Sequence, residues 1–219
     1  MYLNKPNSHI MIALDTKDKE EAFRVMDECY DLVDAIKLNY PLILTEGIEI
    51  IKELKEKYKL PIVTDLKVAD APVTNNRIIK IAIDNSVDAI MIHGFIGSDA
   101  ILEMKKIADK KIGIIIVTEL THPGGLEFTR QHAEDFAKMA VLLNCYGIQA
   151  PGTRPKQIRN LRNIVGKDKV IVSCGVGAQG GKFKEAIDAG ADFAIIGRAI
   201  YDNPFPRRAV EELIQQLDK

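Results

Sequence analysis

The chain has 219 residues, 30 of them basic and 31 acidic, for a formal net charge of −1, and 47% of it is apolar. That composition excludes disorder and collagen-like repeats. The balanced charge leaves no footprint for nucleic acid or an anionic membrane surface. The longest apolar runs, such as Ile112 to Val117, are too short to span a bilayer. The opening MYLNKPNSHIM has no apolar signal core, so a cytoplasmic protein is expected.

Short β-branched runs alternate with amphipathic stretches from end to end. The first run, His9–Asp15, leads into Asp15-Thr16-Lys17 and not into a glycine-rich dinucleotide turn. The second, Asp34–Asn39, carries Lys37, and a helical pattern from Ile43 to Tyr58 follows, with Ile48, Ile51, Leu54 and Tyr58 on one face. Next come Pro61–Lys67, Asp88–Gly94 and Lys111–Glu119, then a helical stretch from Phe128 to Leu143. The series closes with Gly147–Pro151, Lys169–Cys174 and Asp192–Gly197, and a last helix over Pro204 to Leu217. Asp84–Asn85, Gly166 and Gly190 sit where helices should stop. Nearly continuous apolar runs are the mark of strands buried on both faces, as in a parallel sheet.

Eight strand–helix units with no linker predict an α/β fold, one (β/α)8 barrel domain over residues 1–219. An open doubly wound sheet is the alternative, and it usually uses fewer strands. Three scattered cysteines (Cys29, Cys145, Cys174) show no C-x-x-C spacing, and His9, His93, His122 and His132 show no ligand spacing. Neither a disulfide framework nor a metal site is therefore expected.

In a barrel of this kind the active site lies at the C-terminal ends of the strands. Those ends are Asp15, Lys37, Asp65 with Lys67, His93, Glu119, Pro151, Cys174 and Gly197–Arg198. Asp65 and Lys67 lie two apart on one strand and share a face, and Asp70 follows in the loop. Alternating charges hold each lysine protonated and each carboxylate ionised. A positioned ammonium can deliver a proton to carbon, whereas imine chemistry needs a lysine of lowered pKa in an apolar pocket. Cys174-Gly175-Val176-Gly177-Ala178-Gln179-Gly180-Gly181 and Gly197-Arg198 form a second group, a glycine-rich loop and a bidentate cation at the two strand ends where barrels hold phosphate.

The segments D-L-K-V-A-D-A-P (Asp65–Pro72), T-E-L-T-H-P-G (Thr118–Gly124), G-V-G-A-Q-G-G (Gly175–Gly181) and G-R-A-I-Y (Gly197–Tyr201) resemble those of orotidine 5′-phosphate decarboxylases of the short archaeal form. The likeness runs from Ile10 to about Tyr201. It implies a cofactor-independent, metal-free carboxy-lyase of pyrimidine biosynthesis, acting as a homodimer. By that resemblance Lys37, Asp65, Lys67 and Asp70 form the catalytic tetrad, with Lys67 protonating C6 of the pyrimidine and Asp65 against the substrate carboxylate. Asp15 and Lys37 would hold ribose hydroxyls, while Asp70 and Thr74 would reach across a subunit interface. Cys174, Gly175, Val176, Gly177, Gln179, Gly197 and Arg198 would bind the phosphate end, and Thr121 the pyrimidine. The chain departs from the family pattern at Thr121 (usually Ser), Cys174 (usually Pro), Asn39 (usually Gly) and Gln149 (usually small and apolar). Related sugar-phosphate enzymes share the D-x-K-x-x-D motif but carry a magnesium-binding Glu where Lys37 stands. Against both stands a catalytically inactive phosphate- or nucleotide-binding barrel.

Overall fold

The computed structural model describes residues 2–217. Eight parallel strands close into a barrel in chain order: β1 (Ile10–Leu14), β2 (Ala35–Leu38), β3 (Ile62–Val68), β4 (Ala89–His93), β5 (Gly113–Val117), β6 (Gly147–Pro151), β7 (Val170–Cys174) and β8 (Phe193–Ile196). The helices are α1 (Lys19–Cys29), α2 (Tyr40–Glu46), α3 (Ile50–Tyr58), α4 (Pro72–Asp84), α5 (Ser98–Ala108), α6 (Ala133–Leu142), α7 (Pro155–Val165), α8 (Phe183–Asp188), α9 (Arg198–Tyr201) and α10 (Pro206–Ile214). β8 pairs with β1, so no strand edge is left open.

Alternation along each strand sorts the apolar side chains into two packed layers. Ile10, Ile12, Leu14, Ile36, Leu38, Ile90 and Ile92 join the layer shared with the helices. Met11, Ala13, Ala35, Val63, Met91, Ile115, Val117, Val172 and Phe193 form a separate cluster that fills the barrel. The inward series continues at the C-terminal ends with Asp15, Lys37, Asp65, His93, Gln149 and Cys174, where apolar residues give way to polar ones.

A recurrent acid ties the opposite rim. Asp34, Asp88 and Asp192 each precede an even-numbered strand. Their backbone N–H groups donate to the carbonyls of Ile10, Ile62 and Ile171 at 2.9, 2.9 and 2.8 Å. Their carboxylates accept from the backbone N–H groups of His9, Ile62 and Ile171, each at 2.7 Å. Each aspartate thus fixes the register of two neighbouring strands at their starts.

Three helical expectations need correction. The stretch from Ile43 to Tyr58 is two helices, because Gly47, at φ +83°, ends α2 in a conformation that ordinary side chains resist. The stretch from Phe128 begins as a 3-10 turn over Thr129–His132, and the α-helix starts only at Ala133. The last helix starts at Pro206, whose ring fits the first helical turn, and not at Pro204.

β3 carries the main irregularity. Thr64 stands opposite Ile90 and Val68 opposite Ile92, so four residues of β3 advance against two of β4. The bulge puts Lys67 at φ +41°, a left-handed conformation that costs a non-glycine residue about 1–2 kcal/mol. The hydroxyl of Tyr40 donates to the Leu66 carbonyl inside this bulge.

The rim aspartates give a direct stability prediction. Asp192 also receives Arg162 at 2.6 Å, so Asp192→Ala takes the anion from a guanidinium and the acceptor from a strand N–H together. Charged hydrogen bonds contribute about 1.5–3 kcal/mol each, and a loss of about that size is expected in urea unfolding. A change within about 0.5 kcal/mol would show that these carboxylates do not hold the strand register.

Candidate active site

A pocket of about 220 Å³ opens at the C-terminal rim. Asp15 follows directly on β1, β2 contributes Lys37, and β3 contributes Asp65 and Lys67. Lys37, almost fully buried, donates to both oxygens of Asp15 at 3.0 and 3.1 Å. Lys67 donates to Asp65 Oδ2 at 2.8 Å. The other Asp65 oxygen is buried and has no hydrogen-bond partner among the described residues. A carboxylate in that state is poorly satisfied and is held in place by the barrel wall around it.

Burial works against the Lys67 ammonium, but the facing charge of Asp65, with its hydrogen bond, and the charge of Asp15 outweigh it and raise its pKa above the ordinary lysine value of 10.5. Its folded value therefore exceeds the unfolded one. The stabilisation this ammonium contributes is fully present below the ordinary lysine range and is lost as the pH rises through the raised value. Burial, then the charge of Asp65, pushes the Cys174 thiol up to about 12. Cys174 thus lines the pocket as a neutral group. His93 is lowered by burial and by Lys67, stacks on Phe95 at 4.6 Å, and does not line the pocket.

The other end of the pocket is made of loop backbone. Gly175, at φ +84°, opens the loop between β7 and α8, and a Cβ there would meet the Thr121 side chain at 3.0 Å. The Gly177 N–H donates to the Gly181 carbonyl at 2.7 Å, and the Gly181 N–H to the Gly175 carbonyl at 3.1 Å, closing the turn on itself. The N–H groups of Ala178 and Gln179 donate to nothing among the described residues. Arg198 stands beside them, just past β8, and makes no ion pair among the described residues. Unpaired amides next to an unpaired guanidinium are what an anion such as phosphate requires. Thr121 closes the pocket from the β5 side by donating its hydroxyl to Gln179 Oε1 at 2.7 Å.

Of the residues singled out in the sequence, Asp15, Lys37, Asp65, Lys67, Thr121, Cys174, Gly175, Val176, Gln179, Gly197 and Arg198 line this pocket. Asp70, Thr74 and Gly177 do not. Asp70 and Thr74 are exposed, at the loop and first turn leading into α4. Asn39 and Gln149 also line it, with Ala13, Leu120, Ile195 and Tyr201, which alternation or proximity to a strand end could have suggested. Among the described residues no group of three or more His, Cys, Asp or Glu is arranged to hold a metal ion.

The ion pair at β3 predicts its own titration. Asp65→Asn removes the largest charge that raises Lys67 and leaves the burial that lowers it, so the Lys67 pKa should drop. An NMR titration of the lysine side chains reads this directly. An unchanged Lys67 titration would show that Asp65 does not govern its charge.

A family model described as the orotidine 5′-phosphate decarboxylase / HUMPS family matches residues 8–213. The orotidine 5′-phosphate decarboxylase of Methanococcoides burtonii is 42% identical over 212 residues, covering 96% of this chain and 98% of its own. That of Pyrococcus furiosus is 41% identical over 208 residues, covering 95% and 97%. Among solved structures, the Methanocaldococcus jannaschii orotidine 5′-monophosphate decarboxylase complexed with inhibitor BMP superposes with a TM-score of 0.90 at 37% identity, covering 96% of this chain and 98% of that one. The Pyrococcus horikoshii enzyme gives 0.88 at 38% identity, covering 96% and 99%.

Proposed function

The chain belongs to the orotidine 5′-phosphate decarboxylase / HUMPS family, and on that premise we propose that it converts orotidine 5′-phosphate to UMP and carbon dioxide, with Lys67 as the proton donor. The bond from C6 to the carboxylate breaks and its electron pair stays on C6. The Lys67 ammonium then gives its proton to that carbon, and solvent reprotonates the amine. The observation that carries this reading is the Lys67 ammonium held 2.8 Å from Asp65 in the pocket. A charged donor already fixed where a carbanion develops needs little reorganisation during reaction.

Asp65 lies against the substrate carboxylate in this reading, which accords with its unpartnered buried oxygen. Asp15 and Lys37 take the ribose hydroxyls. The backbone from Cys174 to Gly177, with Gln179, Gly197 and Arg198, takes the phosphate, and Thr121 contacts the pyrimidine. The family description also covers the sugar-phosphate enzymes, but the lysine at position 37 argues for the decarboxylase. Its ammonium occupies both Asp15 oxygens and repels the divalent cation that those relatives bind.

Asp70 and Thr74 complete the neighbouring subunit's site in a homodimer. Their exposure outside their own chain's pocket supports this assignment. So does Val73, an apolar residue between them that is 66% exposed at the start of α4.

Lys67→Ala tests the proton donor. Decarboxylation, followed by the absorbance change of orotidine 5′-phosphate, should nearly vanish, while UMP binding falls much less. Retention of more than about a tenth of the kcat, a barrier change under roughly 1.4 kcal/mol, would remove Lys67 from the role.

The shared site predicts complementation. Asp70→Ala and Lys67→Ala homodimers should each be nearly inactive. Equal mixing and reassociation gives about half heterodimers, each with one site carrying both lesions and one carrying neither. Roughly a quarter of the full activity should therefore return. Activity that stays at the mutant baseline after verified subunit exchange would place Asp70 in its own chain's site.

A further inference from the structure

Glu119 lies just beyond β5 and is fully buried, yet it does not line the pocket and takes no part in the reaction described above. A carboxylate removed from water is costly unless it is paired. Two guanidiniums flank this one. Arg130 donates to Oε2 at 3.2 Å, and Arg154 Nε sits 2.5 Å from Oε1 in a contact that lacks the linear geometry of a hydrogen bond.

Arg154 does more than neutralise the charge. It comes from the residue that opens α7, beyond β6, and its other two nitrogens reach back to the β5 loop. One donates to the Leu120 carbonyl at 2.6 Å and the other to the Thr121 carbonyl at 3.3 Å. One guanidinium therefore spans three consecutive residues, 119 to 121. The Thr153 hydroxyl adds a weaker contact to the same Thr121 carbonyl at 3.4 Å. Thr121 then passes the tie onward, because its own hydroxyl donates to Gln179 in the loop after β7. The loops after β5, β6 and β7 are joined in one series, with Glu119 buried at its root.

We infer that Glu119 is a positioning residue. Its buried charge holds the Arg154 fork across residues 119–121, and so presents the Thr121 hydroxyl to Gln179 over the pocket. The charge itself matters. Two arginines around one carboxylate leave one excess positive charge, and two arginines around an amide leave two. The guanidiniums would then repel, and Arg130, whose side chain is already 42% exposed, has open water to move into. Arg154 would lose the anion that fixes its fork, and the Thr121 carbonyl would be left with the weaker Thr153 contact. The inference rests on the decarboxylase reading above, because it concerns the closing of that site over its substrate.

A double-mutant cycle on decarboxylation tests it. Glu119→Gln should lower kcat/KM by about ten-fold, with a smaller effect on kcat, because bound substrate helps to draw the loops together at saturation. Gln179→Ala removes the end of the series. In that background Glu119→Gln should cost less than about two-fold, since it no longer has a route to the pocket. A carboxylate that only supported the barrel would give losses that multiply, and that result would overturn the inference. Arg154→Lys provides a second arm should Glu119→Gln fail to fold. It keeps a cation facing Glu119 but loses the fork, so it should show the same kcat/KM loss and the same dependence on Gln179. A chain without any turnover of orotidine 5′-phosphate would sink the proposed activity and this inference together. Full turnover with multiplying losses would sink the role of Glu119 alone.

Discussion

One carboxylate imposes conditions on much of this molecule. Asp65 is buried in the barrel wall, with one oxygen on the Lys67 ammonium and the other unpartnered. A carboxylate in that position favours a partner or water. The ammonium of Lys67 supplies the partner, on a strand that carries two extra residues against β4 and a left-handed backbone at Lys67. The close pairing of the rest of the barrel keeps this local cost from spreading. It is the usual arrangement where a rigid scaffold carries a strained functional segment.

The two ends of the barrel divide the work. At the N-terminal end, Asp34, Asp88 and Asp192 place their carboxylates on backbone N–H groups and lock strand register, with Lys55 and Arg162 as added counter-charges to Asp88 and Asp192. At the C-terminal end, the carboxylates of Asp15 and Asp65 meet lysines inside a pocket. The chemistry of the residue is the same, and the partner decides its use. A carboxylate facing fixed amides stabilises the fold, and one facing ammonium groups in a cleft sets charge states for a ligand. The loops above the pocket follow a third pattern, in which Glu119, Arg154, Thr121 and Gln179 connect three separate crossovers through side chains and the Thr121 carbonyl.

Much of this was determined by the sequence itself. Eight largely apolar runs, most of them ending in a polar or glycine residue, specify parallel strands, because strands covered on both faces need such runs. Two-residue alternation then places Asp65 and Lys67 on one side, and barrel geometry gathers Asp15 and Lys37 to the same rim. The glycines from 175 to 181 announced a tight loop through local backbone freedom alone. The tertiary structure decided what depends on residues distant in the chain. The pattern from Ile43 to Tyr58 keeps helical spacing across Gly47, so the break there shows only in the backbone. The bulge in β3 exists relative to β4 and has no signature in β3 alone. Asp70 and Thr74 follow the motif in sequence, yet the loop into α4 and its first turn carry them out of their own pocket. Glu119 read as one more strand-end acid. Its burial against Arg130 and Arg154, up to 35 positions along, arises because folding removes its water and leaves those two guanidiniums as its counter-charge.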